Sequence, residues 1–283
     1  MARAKVNLYL HLTARRADGY HELDSLVVFP DLGDFVEVRP AERWGAAVTG
    51  PLASALGELA AADNAAVRAG IALLHAAGRG DAFDIQIEKH IPVGAGLGGG
   101  SADAAAVMHL LNDRLRLGFA LADLQRIGLA VGADVPVCLY GAGAVVSGIG
   151  EVVEPAPTPV LHLALTWPAK PLSTAAVFKA IPAGQIRPRP RAFAAWRTDE
   201  DFLRMLRTAD NDLALAARAQ LPDIDAALSA LAAEPQCQLA RMTGSGSSCF
   251  GLFPSATAAA AAARSIRSRQ PGWWTSAATT GAA

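Results

Sequence analysis

The sequence predicts an α+β chain in two halves that meet near residues 155–160. Three observations lead there. Short apolar stretches alternate or end in Gly, Pro and Asp, as strands do. Helical stretches with capping residues fall between them. The proline-rich segment PAPTP at 155–159 is the best linker in the chain, and the order of elements changes beyond it.

In the opening AKVNLYLHLT, Ala4, Val6, Leu8, Leu10 and Leu12 share one face of a strand, and Lys5, Asn7, Tyr9, His11 and Thr13 share the other. ARRADGYHEL holds a D-G turn at Asp18 and Gly19, and SLVVFPDLGDFVEVRP reads as two further short strands. Asp63 or Asn64 caps a helix to about Ala77, stopped by Gly78. FDIQIEKHI is a strand ended by Pro92, and a helix runs from Ser101 to about Arg116 after a glycine run. A second helix spans about Leu121–Val131 with Asp123 as its cap, and the GADVP turn closes it. YGAGAVVSGIGEVVEP is a glycine-bent strand pair.

In the second half LHLALTW is a strand, STAAVFKAI a short helix, and 186–191 (IRPRPR) an irregular loop. Two helices are expected across about 199–232. QLARM, TGSGSS and CFGLF form a strand–loop–strand, followed by the helix SATAAAAAARSIRSR and the strand WWTSAATT. The expected units are residues 1–157 and 158–283.

A chain of 283 residues with 52% hydrophobic content can bury a sizeable core. A net charge of −1 gives no electrostatic footprint for nucleic acid or an acidic membrane. Cys138, Cys237 and Cys249 are odd in number and form no C-x-x-C pair, which argues for a reducing compartment. The six histidines lack zinc-ligand spacing. MARAKVNLYLHL has no secretory apolar stretch, and no run of about 18 apolar residues could span a bilayer. The expectation is a soluble cytoplasmic protein with small-molecule partners and an unassigned oligomeric state.

The most informative stretch is IPVGAGLGGGSADAAA at 91–106, where Gly94, Gly96, Gly98, Gly99 and Gly100 crowd into seven positions. Each glycine inside an element costs about 1 kcal/mol relative to alanine, so such a run needs a reason. Gly94, Gly96 and Gly99 match G-x-G-x-x-G, yet LRLGFALADL lacks the strand with an acidic end that dinucleotide binding wants. The Walker pattern fails for want of a lysine, and the protein-kinase pattern for want of V-A-I-K and H-R-D. Bare N–H groups leading into a helix N-terminus make an anion cradle. A simple strand-to-helix turn would need fewer glycines.

PVGAGLGGGSAD (92–103) resembles the ATP-binding motif of the galactokinase, homoserine kinase, mevalonate kinase and phosphomevalonate kinase (GHMP) superfamily. AKVN (4–7) with RADGYH (16–21), GADVP (132–136) and TGSGS (243–247) are similar in order and spacing to the 4-diphosphocytidyl-2-C-methyl-D-erythritol kinase family, along essentially the whole chain. The resemblance implies a two-domain GHMP kinase fold, its N-terminal domain ribosomal protein S5 domain 2-like and its C-terminal domain ferredoxin-like. It also implies an ATP-dependent kinase that phosphorylates the 2-hydroxyl of the diphosphocytidyl methylerythritol, in the non-mevalonate route to isoprenoid precursors. Homoserine or mevalonate kinase activity, and a non-catalytic nucleotide-binding module, are the competing readings.

By the same resemblance, Asp134 is the catalytic base and Lys5 its charged partner, with Asn7 as a polar aide. Tyr20 and His21 serve the cytosine. Phe178 either stacks on the base's other face or packs in the core. Pro92, Val93, Gly94, Ala95, Gly96, Leu97, Gly98, Gly99, Gly100, Ser101 and Ala102 bind ATP. Thr243, Gly244, Ser245, Gly246 and Ser247 form a supporting glycine loop. ATP is expected with Mg²⁺; Ser101 can offer a hydroxyl, no ligating glutamate can be placed, and the metal ligands stay unassigned.

Overall fold

Two sheets make up the first half of the computed structural model, which describes residues 1–53, 63–182, 184, 186, 189, 191–193 and 196–281. The first has the order β1 (Ala2–Arg3), β4 (Gly33–Ala41), β6 (Ala82–Glu88), β5 (Gly45–Thr49), with β5 parallel to β6. Across Ala4 and Lys5 the chain changes sheet. There β2 (Val6–Arg15) pairs antiparallel with β3 (His21–Val28), followed by β7 (Ala144–Gly148) and β8 (Val152–Pro155). β7 and β8 form the glycine-bent pair expected. β1 and β5 were not legible, being too short or too rich in small residues to show a period.

The alternation of β2 separates two faces, and from Val6 to Leu12 both are buried. The second half covers the polar side. The Tyr9 hydroxyl accepts from Phe193 N–H at 3.1 Å and donates to Asp24 Oδ1 at 3.2 Å, and His11 Nε2 accepts from Asp210 N–H at 3.1 Å. Period-two patterning tells faces apart; it does not say that either meets water.

Helices α1 (Ala65–Ala76), α2 (Gly99–Arg114) and α3 (Leu121–Leu129) cover the first sheet, with Leu73, Leu74, Met108 and Leu111 against Phe83, Ile85 and Ile87. Asn64 caps α1, its Oδ1 accepting from Ala66 N–H at 2.9 Å. α2 begins at Gly99, ahead of the expected Ser101. Ala120, not Asp123, occupies the cap of α3; Asp123 stands in its first turn. GADVP opens α4 (Val135–Tyr140), with Asp134 at the cap position and Pro136 in the first turn, where a missing N–H costs nothing.

The second half runs β9 (His162–Trp167), α5 (Thr174–Lys179), α6 (Asp199–Thr208), α7 (Ala214–Gln220), α8 (Asp223–Ala232), β10 (Leu239–Met242), β11 (Cys249–Phe253), α9 (Ala256–Arg269), β12 (Trp274–Thr279). Its antiparallel sheet, ordered β10-β11-β9-β12 with helices between first and second and between third and fourth strands, is ferredoxin-like. Where two helices were expected after residue 199 there are three, because Pro222 at the α8 cap separates α7 from α8. Of the loop expected at 186–191, residues 187, 188 and 190 lie outside the described residues.

Sheet membership changes between β8 and β9, yet the apolar core does not stop there. Val6, Leu8 and Leu26 pack in one cluster with Leu163, Leu165, Phe202 and Phe250. Arg241 joins the halves as well, donating to Leu8 O at 2.7 Å and Leu206 O at 2.8 Å. Among the described residues no helix is long and apolar enough to cross a membrane.

Candidate active site

A cleft of about 1000 Å³ lies between the halves, and the glycine loop forms one wall. The loop is pinned through its carbonyls: Gly94 O accepts from Leu172 N–H at 3.1 Å, Ala95 O from Ser248 N–H at 3.0 Å, and Leu97 O from Lys5 N–H at 2.9 Å. Among the described residues no acceptor takes the N–H groups of Gly94, Gly96, Gly98, Gly99 or Gly100. α2 starts from Gly98 with no side-chain cap, so its first N–H groups are unclaimed too. This is an anion cradle of the kind a phosphate chain fits.

Two close approaches explain why the loop cannot carry side chains. Gly98 has φ +67°, and a Cβ there would stand 2.6 Å from Lys5 Cγ, so the lysine stem lies directly under the loop. At Gly96 (φ +77°) a Cβ would meet the Thr243 and Gly246 carbonyls at 2.7 Å. The two glycine loops therefore pack backbone to backbone. Pro92 through Ser101 line the cleft, as do Gly244 and Ser245. Ala102, Thr243, Gly246 and Ser247 do not: Ala102 turns into the core, Thr243 Oγ1 accepts from Asn7 N–H at 2.8 Å, and Ser247 donates to Lys170 O.

Lys5 sits at the crossing between sheets and is 5% exposed, which excludes a role as a solvated edge-strand lysine. Its Nζ lies 3.2 Å from Asp134 Oδ2 and donates to Asn7 Oδ1 at 2.8 Å. Asn7 Nδ2 donates in turn to Ser25 Oγ at 2.8 Å, and Ser25 Oγ to Tyr9 O at 2.6 Å, so the lysine is aimed by a buried chain of bonds. The Asp134 side chain is 47% exposed and faces the cleft. A carboxylate open to a ligand beside a fixed ammonium is the geometry of a proton acceptor.

Farther along, the His21 and Phe178 rings stand 5.3 Å apart at 36°. Phe178 both lines the cleft and packs against the core of the second half. Burial, then the nearby Arg15 charge, lowers the His21 pKa and keeps the imidazole neutral at physiological pH. Tyr20 lines the same end and is 59% exposed.

Sequence reasoning missed several residues. Asn211 Nδ2 donates to Met242 O and Gly244 O at 2.8 Å and so holds the supporting loop, and Thr174 Oγ1 lies 2.7 Å from Ser245 Oγ. Beneath the phosphate cradle, Lys89 pairs with Asp34 and with Asp103 (2.9 Å). The one available signal was an aspartate four residues after Gly99 on an alanine-rich helix. Burial, outweighing the pull of Lys89, pushes the Asp103 carboxyl from 3.8 up to about 7.

The folded carboxyl therefore keeps its proton to higher pH than the unfolded one, and its contribution to stability falls as pH rises from about 4 to about 7. Asp103→Asn should remove on the order of 1–4 kcal/mol of that fall, read as the urea-unfolding free energy at pH 5 minus that at pH 8. An unaltered pH slope would show that Asp103 titrates normally.

Comparison with known proteins places this geometry. Residues 64–142 match the family described as GHMP kinases N terminal domain, and residues 193–272 match GHMP kinases C terminal. A 4-diphosphocytidyl-2-C-methyl-D-erythritol kinase of Cereibacter sphaeroides (strain KD131 / KCTC 12085) is 46% identical over 275 residues, 96% of this chain and 95% of the relative. Its counterpart in Rhodospirillum rubrum is 42% identical over 277 residues, 98% of this chain and 90% of that one. A crystal structure of 4-(cytidine 5'-diphospho)-2C-methyl-D-erythritol kinase superposes with a TM-score of 0.76 at 33% identity, covering 100% of this chain and 98% of the other. Homoserine kinase from Cytophaga hutchinsonii shares the fold, with a TM-score of 0.71 at 18% identity over 99% of this chain and 94% of its own. With a cradle for phosphates, an ammonium–carboxylate couple beside it and relatives matched end to end, the chain belongs to the 4-diphosphocytidyl-2-C-methyl-D-erythritol kinase family of GHMP kinases.

Proposed function

We propose that this chain transfers the γ-phosphoryl group of ATP to the 2-hydroxyl of 4-diphosphocytidyl-2-C-methyl-D-erythritol, a step in isoprenoid precursor synthesis. The observation that carries the reading is the 3.2 Å approach of Lys5 Nζ to Asp134 Oδ2 beside the cradle of unclaimed N–H groups. Phosphoryl transfer asks a protein for positioning and charge stabilisation above all. The loop N–H groups and the start of α2 hold the phosphates. The adenosine extends to the side lined by Val48, Asn64, Arg68 and Ile87, and the acceptor enters from the side of His21 and Phe178. Asp134 takes the proton of the acceptor hydroxyl as its oxygen attacks, and Lys5 holds that carboxylate in place.

ATP works with Mg²⁺, which neutralises charge on the transferred group. Among the described residues no three His, Cys, Asp or Glu side chains come together to cage a metal. Such a sparse donor set suits an ion held mainly by phosphates and water. Ser101, lining the cleft in the first turn of α2, supplies the protein's hydroxyl. The proposed partners are small molecules, and the proposed location is the cytoplasm, in keeping with Cys138, Cys237 and Cys249 all being free.

Single-turnover phosphorylation with radiolabelled ATP tests the reading, with the cytidine substrate set against homoserine and mevalonate. Label should pass to the cytidine substrate alone; transfer to another alcohol in preference would overturn it. Phe178→Ala should raise the acceptor KM roughly tenfold or more while leaving the KM for ATP unchanged, because base–aromatic stacking is worth about 1–3 kcal/mol. An unaltered acceptor KM would confine Phe178 to packing.

A further inference from the structure

Three ionisable side chains beneath the glycine loop take no part in the chemistry above. Asp34, Lys89 and Asp103 are 0%, 3% and 4% exposed. As a device for stability the cluster is poor, since apolar residues of like volume commonly hold a fold as well as buried ions do. Asp103 Oδ1 even lacks a partner among the described residues.

What the cluster offers is connectivity. Asp34 Oδ1, reaching from β4, accepts from His90 N–H at 2.6 Å and Ile91 N–H at 2.8 Å, which fixes the backbone just before the loop. Its other oxygen takes the Lys89 ammonium, and that ammonium donates to Asp103 Oδ2 at 2.9 Å on α2, just after the loop. A Cβ on Gly99 would stand 3.2 Å from Lys89 Nζ, so the start of the helix rests on the ammonium itself. Lys89 and Asp103 also line the cleft.

We infer that Lys89 is a positioning residue for phosphoryl transfer: its shared ammonium sets the spacing between the two ends of the glycine loop, and so the aim of the loop N–H groups at the nucleotide phosphates. This rests on the kinase reading. The clamp acts on the nucleotide side alone and leaves the acceptor side untouched.

Two variants test it in the full chain. Asp103→Asn keeps the Lys89–Asp34 pair and the hold of Asp34 on both backbone amides. The triple variant Lys89→Met with Asp34→Asn and Asp103→Asn leaves no buried charge in the cluster. Thermal melts establish folding, calorimetric titration gives the affinity for ATP with Mg²⁺, and steady-state kinetics gives kcat and both KM values. The Kd and KM for ATP should rise about tenfold in Asp103→Asn and kcat should fall up to about a hundredfold in the triple variant, the scale expected of sub-ångström to ångström misplacement. The acceptor KM should stay at its wild-type value in both. Unchanged Kd and KM for ATP in Asp103→Asn, ATP affinity and kcat equal to wild type in the triple variant, or failure of both variants to fold would each overturn the positioning role. Failure of the kinase reading is distinguishable, because the wild type itself would then transfer no phosphoryl group to the cytidine substrate.

Discussion

Asp134→Asn is expected to lower turnover by about 10²–10⁴-fold, the usual worth of a general base, while the protein melts as the wild type does. Asparagine matches the shape of aspartate and cannot accept the proton. The Asp134 side chain is 47% exposed at the start of α4, and the amide oxygen of asparagine can still accept from Lys5 Nζ. Its ion partner Lys5 keeps the bond to Asn7 Oδ1. Both KM values should therefore change little, and the loss should sit in kcat, where an interaction made only on the way to products appears. Near-normal turnover in a single-turnover assay would remove Asp134 from the mechanism.

Lys5→Met should have an effect of the same order for a different reason. Methionine fills the channel under Gly98 that the lysine stem occupies, so the loop keeps its support. Asn7 Oδ1 then loses its donor, and Asp134 loses the ammonium 3.2 Å away that fixes its position. Turnover should fall about 10²-fold or more, with solubility unchanged. Because both side chains serve one proton transfer, the double variant Lys5→Met with Asp134→Asn should be scarcely slower than the worse single one. Losses that multiply would mean that the two residues act separately, and normal turnover in Lys5→Met would remove Lys5 from the mechanism.

The residues legible in the sequence were those whose reason is local. Five glycines in seven positions announced a bare backbone, and a lysine and an asparagine two apart in an apolar strand announced a polar face with something to meet. The helix cap at Asn64, one of two neighbouring candidates, was likewise written in the local sequence. What stayed hidden depends on contacts distant in sequence. Asp34 and Lys89 are separated by 55 residues, and no pattern along the chain says that a strand-end lysine will be drawn inward by two carboxylates. The roles of Asn211 and Thr174 arise only when the second half folds over β2. The burial of Tyr9 and His11 was hidden for the same reason, because alternation carries no information about what lies across from a face.

Since Val6, Leu8 and Leu26 belong to the same oily cluster as Leu163, Phe202 and Phe250, no plane exists along which the two lobes could swing apart like a shell without wetting that cluster. Any such swing would have to expose apolar side chains of both lobes to water, so the shared cluster opposes it.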